Sequence, residues 1–493
     1  MPNKQKWLGA IIIVLVVIIG VGLFYFTKNP IRSKATSPNF IFILTDDLDY
    51  SLMPYMKNTN SLITDQGATF TNYFVTSSAC CPSRASTIRG QYPHNTGILE
   101  NSPGFKTFHR NGEESETIAT WLHRDWYQTS LLGKYLNIYP TGATNTYIPA
   151  GWTDWHAFLY SDDGERTDFY YNYQINENGK VVQYGGSPSD YSTDVLKNRA
   201  LTFIEQNAKS NRPFFIYLAP YAPHGPDIPA PRYADQFSSA TYPQKPSFGE
   251  ADINDKPTIV RANPQKNGTF DVGDANRLFV SRVQTMQALD EMVKDLVNQL
   301  DQAGELQNTY IILTSDNGFH MGEHQLPSGK MLPYEEDIRV PFVMRGPGIQ
   351  PKTQITQMVA NIDVAPTIAE LAGARASNFV DGRSFANLLN PSGQQVAWRK
   401  ALLIELGYTE IKTPIIAFRG IRAENFVYVE YEDGALEYYN LITDPYELNN
   451  IANQLDPKTL TSLHTWLERL KACKAEACRA AETAVPDDLK HAP

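Results

Sequence analysis

A chain of 493 residues, 42% hydrophobic and 19% charged, is globular rather than disordered and has room for one large domain and a smaller one. Its net charge of −10 argues against a nucleic-acid binder and against a broad basic face for long polyanions. Any grip on an anionic ligand is therefore local.

The first element is the uncharged run Leu8–Phe26, LGAIIIVLVVIIGVGLFYF, preceded by Lys4 and Lys6. As a helix it reaches roughly 30 Å, enough to cross a bilayer. It exceeds the about 7–15 residues of a signal-peptide core, and TKNPIRSKATSPN after it offers no small-residue cleavage site. The run reads as an uncleaved single-pass anchor. It makes residues 1–37 anchor and linker and places the body outside the cytoplasm, at a cell surface or in a periplasm. A buried core helix is the plain alternative, and Lys28, Arg32 and Lys34 run against the usual charge asymmetry.

Beyond the linker, apolar runs alternate with helical patterns, as in an α/β fold. NFIFIL (39–44) runs into Thr45-Asp46-Asp47, and WYQTSLL (126–132) into Gly133-Lys134. PFFIYLA (213–219) runs into PYAPHGP with His224, and TYIIL (309–313) into Thr314-Ser315-Asp316-Asn317-Gly318. Helices are expected over 114–124, 191–209 and 276–304. Ligands of open α/β sheets bind beyond the carboxyl ends of strands, and four such ends here carry Asp-Asp, Lys, His and Asp-Asn. Singly each residue would be a turn or cap residue; together they make a site.

The tail IAFRGIRAENFVYVEYEDGALEYYNLITDPYELNNIAN alternates apolar and polar residues around the turn EDGA, the pattern of antiparallel strands. A boundary falls near residue 395, which divides the body into 38–395 and an α+β subdomain with tail, 396–493.

The four cysteines form two close pairs. Adjacent Cys80 and Cys81 do not suit a mutual disulfide, and no partner pair stands at zinc-finger spacing. Cys473 and Cys478 are too far apart in an unbroken helix, so a bridge requires the helix to end between them; two free thiols are the other reading. Asn267 in NGT fits a glycosylation acceptor.

Asp46, Asp47, Asp316 and Asn317 are hard oxygen donors, suited to Ca²⁺ or, as second choice, Mg²⁺. No cysteine–histidine cluster accompanies them to favour a soft metal. Arg84, Lys134, His224 and Lys330 add positive charge, and such a mixture suits a phosphate or sulfate ester. Only the loop SSACCPSRASTIRG, 77–90, offers a nucleophile.

Cys80-Cys81-Pro82-Ser83-Arg84 matches the C-x-P-S-R signature of the type I sulfatases. TDD, GKYLN, APHGP, SDNGFH, GKMLPYEEDIRVPFVMRGPG and YNLITDPYELNNIA follow in the order expected of that family. The chain beyond the anchor thus resembles these enzymes over nearly its whole length, and CCPSRAS, GKYLN and SDNGFHMG most resemble the branch of N-acetylglucosamine-6-sulfatases and heparan-sulfate sulfatases.

The resemblance implies an alkaline-phosphatase-like fold: a large mixed sheet flanked by helices over 38–395, with a smaller antiparallel sheet behind it. It implies that Cys80 is oxidised by a formylglycine-generating enzyme and then acts as nucleophile, with Cys81 filling a permissive position. Asp46, Asp47, Asp316, Asn317 and the modified Cys80 are expected to hold Ca²⁺. Arg84 and Lys134 are expected at the nucleophile and sulfate, and His224 and Lys330 at the sulfate, one of them assisting the departing alcohol. SRASTIRG is expected to open a helix whose N-terminal dipole favours the anion.

Leu136 stands where many arylsulfatases carry a histidine base, which leaves Asn137 or His320 as candidates for that step. His320 and His324, in GFHMGEH, are candidates for substrate or supporting contacts, with ordinary core histidines an equal reading. The expected activity is release of sulfate from sulfated carbohydrates of the 6-O-sulfated N-acetylglucosamine type. The alternatives are a phosphoester or phosphonate monoester hydrolase of the same fold and an inactive glycan-binding protein.

Overall fold

A computed structural model of the protein describes residues 37–160, 169–262, 271–390, 397–407 and 417–489. The strands are β1 (Asn39–Thr45), β2 (Ala68–Phe70), β3 (Tyr73–Phe74), β4 (Gln128–Gly133), β5 (Asp154–Phe158), β6 (Gln174–Glu177), β7 (Lys180–Gln183) and β8 (Phe214–Ala219). They continue with β9 (Thr309–Ser315), β10 (Phe342–Arg345), β11 (Thr353–Ile355), β12 (Val359–Ala360), β13 (Ala401–Leu406), β14 (Phe418–Ala423), β15 (Phe426–Tyr431) and β16 (Leu436–Asn440). Ten form one mixed sheet in the order β11-β2-β10-β9-β1-β8-β4-β5-β6-β7.

At its centre β1 runs parallel to β9 and β8, with Ile41 opposite Ile311 and Ile216, and β4 runs parallel to β8 and β5. Every residue of β1, β8 and β9 is buried, as expected of strands covered on both faces. Alternation along β1 sends Phe40, Phe42 and Leu44 to one core and Ile41 and Ile43 to the other. Each such side chain contributes about 1.5–3 kcal/mol on burial.

The Ile41 side is covered by the helices Ser192–Ala208 and Val272–Gln302, which lend it Leu196, Phe203, Phe279, Met286 and Leu289. The Phe40 side is covered by the helices Cys80–Arg89, Ile118–Arg124 and Val364–Ala372. Its core continues into the antiparallel sheet β13-β14-β15-β16 through Leu402, Ile404 and Tyr438. All three expected helices and all four expected strands are present within a few residues. The expected boundary near residue 395 and the acceptor Asn267 lie outside the described residues.

The expected membrane helix is corrected. Leu8–Phe26 lies outside the described residues, and among the described residues no helix is long and apolar enough to cross a membrane. The fold class of the described residues is the mixed-sheet fold with no membrane-spanning helix among them, and a single-pass anchored placement is not supported.

Cys473 and Cys478 are bridged, with Cα atoms 4.8 Å apart. The helix Pro457–Lys471 ends before Cys473 and the helix Glu476–Thr483 starts after it, the break that the spacing requires.

Candidate active site

Because β1, β4, β8 and β9 are parallel neighbours, their carboxyl ends share one edge of the sheet, and the residues just past them face one another. Asp47 adopts φ +68°, a left-handed conformation unusual for a residue with a side chain. Surrounding bonds hold it there. Its N–H donates to Asp316 Oδ1 at 3.4 Å, the next N–H donates to Ser315 Oγ at 2.8 Å, and its carbonyl accepts from Arg282.

Two glycines admit the close approach. A Cβ on Gly133 would stand 2.1 Å from the Ala219 carbonyl, and one on Gly318 would stand 1.9 Å from that of Glu336. These contacts explain why glycine precedes Lys134 and follows Asn317.

Cys80 is the first residue of its helix, and its thiol marks the centre of the site. Sγ lies 2.7 Å from Lys330 Nζ and 3.5 Å from Asp46 Oδ1. Lys134 Nζ also donates to Asp46, and Lys330 Nζ to Asp47. Arg84, one turn into the helix and fully buried, donates from Nε to Asp316 Oδ2 at 2.7 Å and from Nη1 to the Lys134 carbonyl at 2.9 Å. His224 Nδ1 donates to the Gly225 carbonyl at 2.8 Å, which leaves Nε2 facing Asp47 Oδ2 at 3.8 Å. Ligand atoms of Asp46, Asp47, Cys80 and His224 all fall within 4.8 Å of one another. Asn317 Nδ2 donates to Asp47 Oδ1 at 2.6 Å. All nine expected site residues therefore meet at one place.

Burial alone would raise the Asp46 carboxyl, but Lys134, Lys330 and Arg84 hold it well below the usual carboxylate range. Burial pushes the Cys80 thiol up to about 12, with Asp46 adding to the rise, so as cysteine it stays protonated. Burial lowers the His224 imidazole and keeps it neutral. Burial opposes the charge of Lys330, but Asp47, Asp46 and Asp316 hold its ammonium well above the normal value.

Cys81 points away from the site. Its N–H donates to Asn101 Oδ1 at 2.9 Å and its sulfur sits in the apolar core, as a small buried filler does. Neither candidate base touches Cys80. His320 is buried with Nδ1 on Asp337 Oδ1 at 2.7 Å, and Asn137 offers its carbonyl to the Phe105 N–H at 3.0 Å. Sequence reasoning missed Arg282, buried beneath Asp47. Its one signal is a charged residue on the apolar stripe formed by Phe279, Val283 and Met286.

The strand-end carboxylates, the buried cations around one nucleophile position and the mixed sheet define an alkaline-phosphatase-like hydrolase of anionic esters. A family model described as Sulfatase matches residues 38–374, and one described as N-sulphoglucosamine sulphohydrolase, C-terminal, matches 322–473. The chain belongs to the sulfatase family and is a sulfuric ester hydrolase.

Human N-acetylglucosamine-6-sulfatase is 36% identical over 484 residues, 90% of this chain and 86% of that protein, and the goat enzyme of the same name is 35% identical over 483 residues, 90% and 85%. A solved structure described as a complex with its substrate D-glucosamine-2-N,6-O-disulfate superposes with a TM-score of 0.74 at 24% identity, covering 91% of this chain and 99% of that one. A phosphonate monoester hydrolase from Silicibacter pomeroyi gives a TM-score of 0.70 at 19% identity, covering 88% and 94%, which shows a shared fold.

Proposed function

We propose that this sulfatase removes the 6-O-sulfate from N-acetylglucosamine-type sugars, with Cys80 oxidised to formylglycine and a Ca²⁺ ion beside it. The observation that carries the reading is the meeting of Lys330, Asp46 and their neighbours on Cys80 Sγ, in a chain whose relatives over nine-tenths of its length are named N-acetylglucosamine-6-sulfatase.

The donors fit a hard cation. Asp46, Asp47 and Asp316 converge, and Asn317 Oδ1 is buried without a hydrogen-bond partner, an oxygen in want of a ligand. These four residues and the modified Cys80 would hold Ca²⁺, or Mg²⁺ as second choice. When present, the cation supplies charge neutralisation and the formylglycine hydrate supplies the nucleophilic oxygen, for which Cys80 Sγ stands in here.

Lys134, Lys330 and Arg84 orient the sulfate and balance charge developing on its oxygens. Lys330 Nζ holds a proton for the departing sugar oxygen. His224, whose Nε2 faces Asp47 Oδ2 at 3.8 Å and which has a ring nitrogen within 4.8 Å of Cys80 Sγ, takes the proton whose removal frees sulfate, the role expected of Asn137 or His320. Maturation requires a formylglycine-generating enzyme.

The chain lacks an extended basic run, and its net charge is −10, which supports attack on a terminal sugar or short oligosaccharide. The test compares N-acetylglucosamine-6-sulfate, short sulfated oligosaccharides and a long sulfated polymer at two ionic strengths. Turnover of the monosaccharide with shallow salt dependence is expected. Sulfate release from internal positions of the polymer alone, with the monosaccharide untouched, would refute the substrate assignment.

A further inference from the structure

Lys330 sits midway between His324 and Glu336, six residues from each, and these two flanking residues meet again in space. A ring nitrogen of His324 and one carboxylate oxygen from each of Glu336 and Glu447 lie within 4.8 Å of one another. His324 is fully buried; Nδ1 is engaged by Glu250 Oε2 at 2.6 Å, and Nε2 is buried with no hydrogen-bond partner. Glu447, 1% exposed, accepts the Glu335 N–H on Oε2 at 3.0 Å, while its Oε1 is likewise buried and unpartnered. Two orphaned ligand atoms in one buried cluster call for an occupant.

The surrounding charge calls for the same thing. Glu250, Glu323 and Glu447 are buried here and Glu336 is half-buried, and two ammonium groups face them: Lys245 on Glu336 at 2.9 Å and Lys256 on Glu250 at 3.2 Å. Lys256 is shared with Asp255, also at 3.2 Å, so the carboxylates outnumber the ammonium groups. Glu323 accepts from the Tyr242 hydroxyl and the Met321 N–H, which leaves Glu447 as the carboxylate of the cluster with one oxygen unpartnered and no ammonium beside it among the described residues.

We propose that His324 Nε2, Glu336 and Glu447 form a second divalent-cation site, separate from the catalytic one and of the class that takes Zn²⁺. One imidazole and two carboxylates form a borderline donor set, whereas the oxygen donors around Cys80 favour a hard ion. In a tetrahedral site ligand atoms stand about 3.4 Å apart, so small side-chain rotations close the cluster on the ion. The ion would pin both ends of the loop that presents Lys330 to Cys80, and fasten that loop to the turn after β16.

The test uses the full chain. Crystals soaked in zinc chloride and measured above and below the zinc edge should show an anomalous peak bonded to His324, Glu336 and Glu447. In equilibrium dialysis of chelator-stripped protein against Zn²⁺, Glu447→Gln and His324→Gln should weaken binding of one ion at least about tenfold, while Asp47→Asn retains it. The Asp47→Asn arm separates this site from the catalytic one. The crystallographic arm decides the matter on wild-type protein even if a variant misfolds. Zinc density only at Asp46 and Asp47, no zinc density at all, or wild-type binding by Glu447→Gln overturns the proposal.

Discussion

Replacing Arg282 with methionine removes a fully buried charge and should disable the enzyme. From the helix Val272–Gln302 its guanidinium reaches three of the loops that follow the central strands. Nη2 donates to the Asp47 carbonyl and to Asp49 Oδ2, the latter at 2.9 Å. Nη1 lies 3.4 Å from the Pro223 carbonyl and 3.9 Å from Asp227 Oδ1, and the group stacks 4.1 Å from the Phe319 ring centroid. Methionine fills much of the space but leaves Asp49, Asp227 and the Asp47 carbonyl without their partner. Breaking a buried ion pair from one side costs about 3–5 kcal/mol. Asp227 limits that loss, since burial already pushes it up to about 6 against the pull of Arg282, and without Arg282 it takes up a proton at neutral pH.

With an unfolding entropy of about 2.1 cal/mol/K per residue, a body of this length should lose about 3–5 °C in Tm. The left-handed Asp47 loses its support at the same time, so kcat/KM should fall by about two orders of magnitude and Ca²⁺ should bind more weakly. Arg282→Lys, with one charge and no planar fork, should fall between. The assays are thermal unfolding with and without Ca²⁺ and turnover of N-acetylglucosamine-6-sulfate. A methionine variant within about 1 °C and about twofold of wild type would refute the reasoning.

Cys80→Ala should abolish turnover while the fold survives, and Cys81→Ala should keep most activity at a cost of about 1 kcal/mol; the reverse pattern would reassign the nucleophile. Intact mass across the Cys80 peptide should read about 18 Da below cysteine. Asp316→Ala should lose both the metal, counted by elemental analysis, and activity, because it removes one of three converging carboxylates and the partner of Arg84. Gly318→Ala should cut activity by at least about tenfold, since its Cβ would sit 1.9 Å from the Glu336 carbonyl and displace the Asp316-Asn317 turn. Replacing both Cys473 and Cys478 with serine should cost about 2 kcal/mol, the entropy of so short a loop, and leave kcat unchanged.

The central sheet was legible because its strands are buried on both faces and so read as continuous apolar runs whose ends are marked by polar residues. The site was legible for the same reason: parallel neighbouring strands bring their ends together, so four separate motifs had to meet. Arg282 was hidden because its one signal, a charge on an apolar stripe, does not say what faces it; only the fold reveals that the stripe meets carboxylates. The edge strand β7 also escaped notice, because Lys180–Gln183 is largely exposed and carries no apolar run to signal it. The run Leu8–Phe26 has the length and apolarity of a span, yet no helix among the described residues has that character. Apolarity gives a segment the means to cross a bilayer and says nothing of whether it does.

The geometry also explains how an acidic protein holds an anionic ester. Asp46, Asp47 and Asp316 are matched by Arg84, Lys134 and Lys330, with the arginine and both lysines buried or nearly so. The protein groups thus cancel one another, and the chain's net −10 resides elsewhere. Adding the proposed divalent cation turns balance into a local excess of two positive charges in a setting that water screens poorly. A sulfate monoester carries one negative charge and gains more on its oxygens and leaving group as the bond breaks. The excess is thus greatest in effect where the reaction needs it, in the transition state, and weaker for the substrate at rest. Removing any one of the three carboxylates should release the cation as well, so the local excess falls from two positive charges to one, and the outcome is a site that holds sulfate without turning it over.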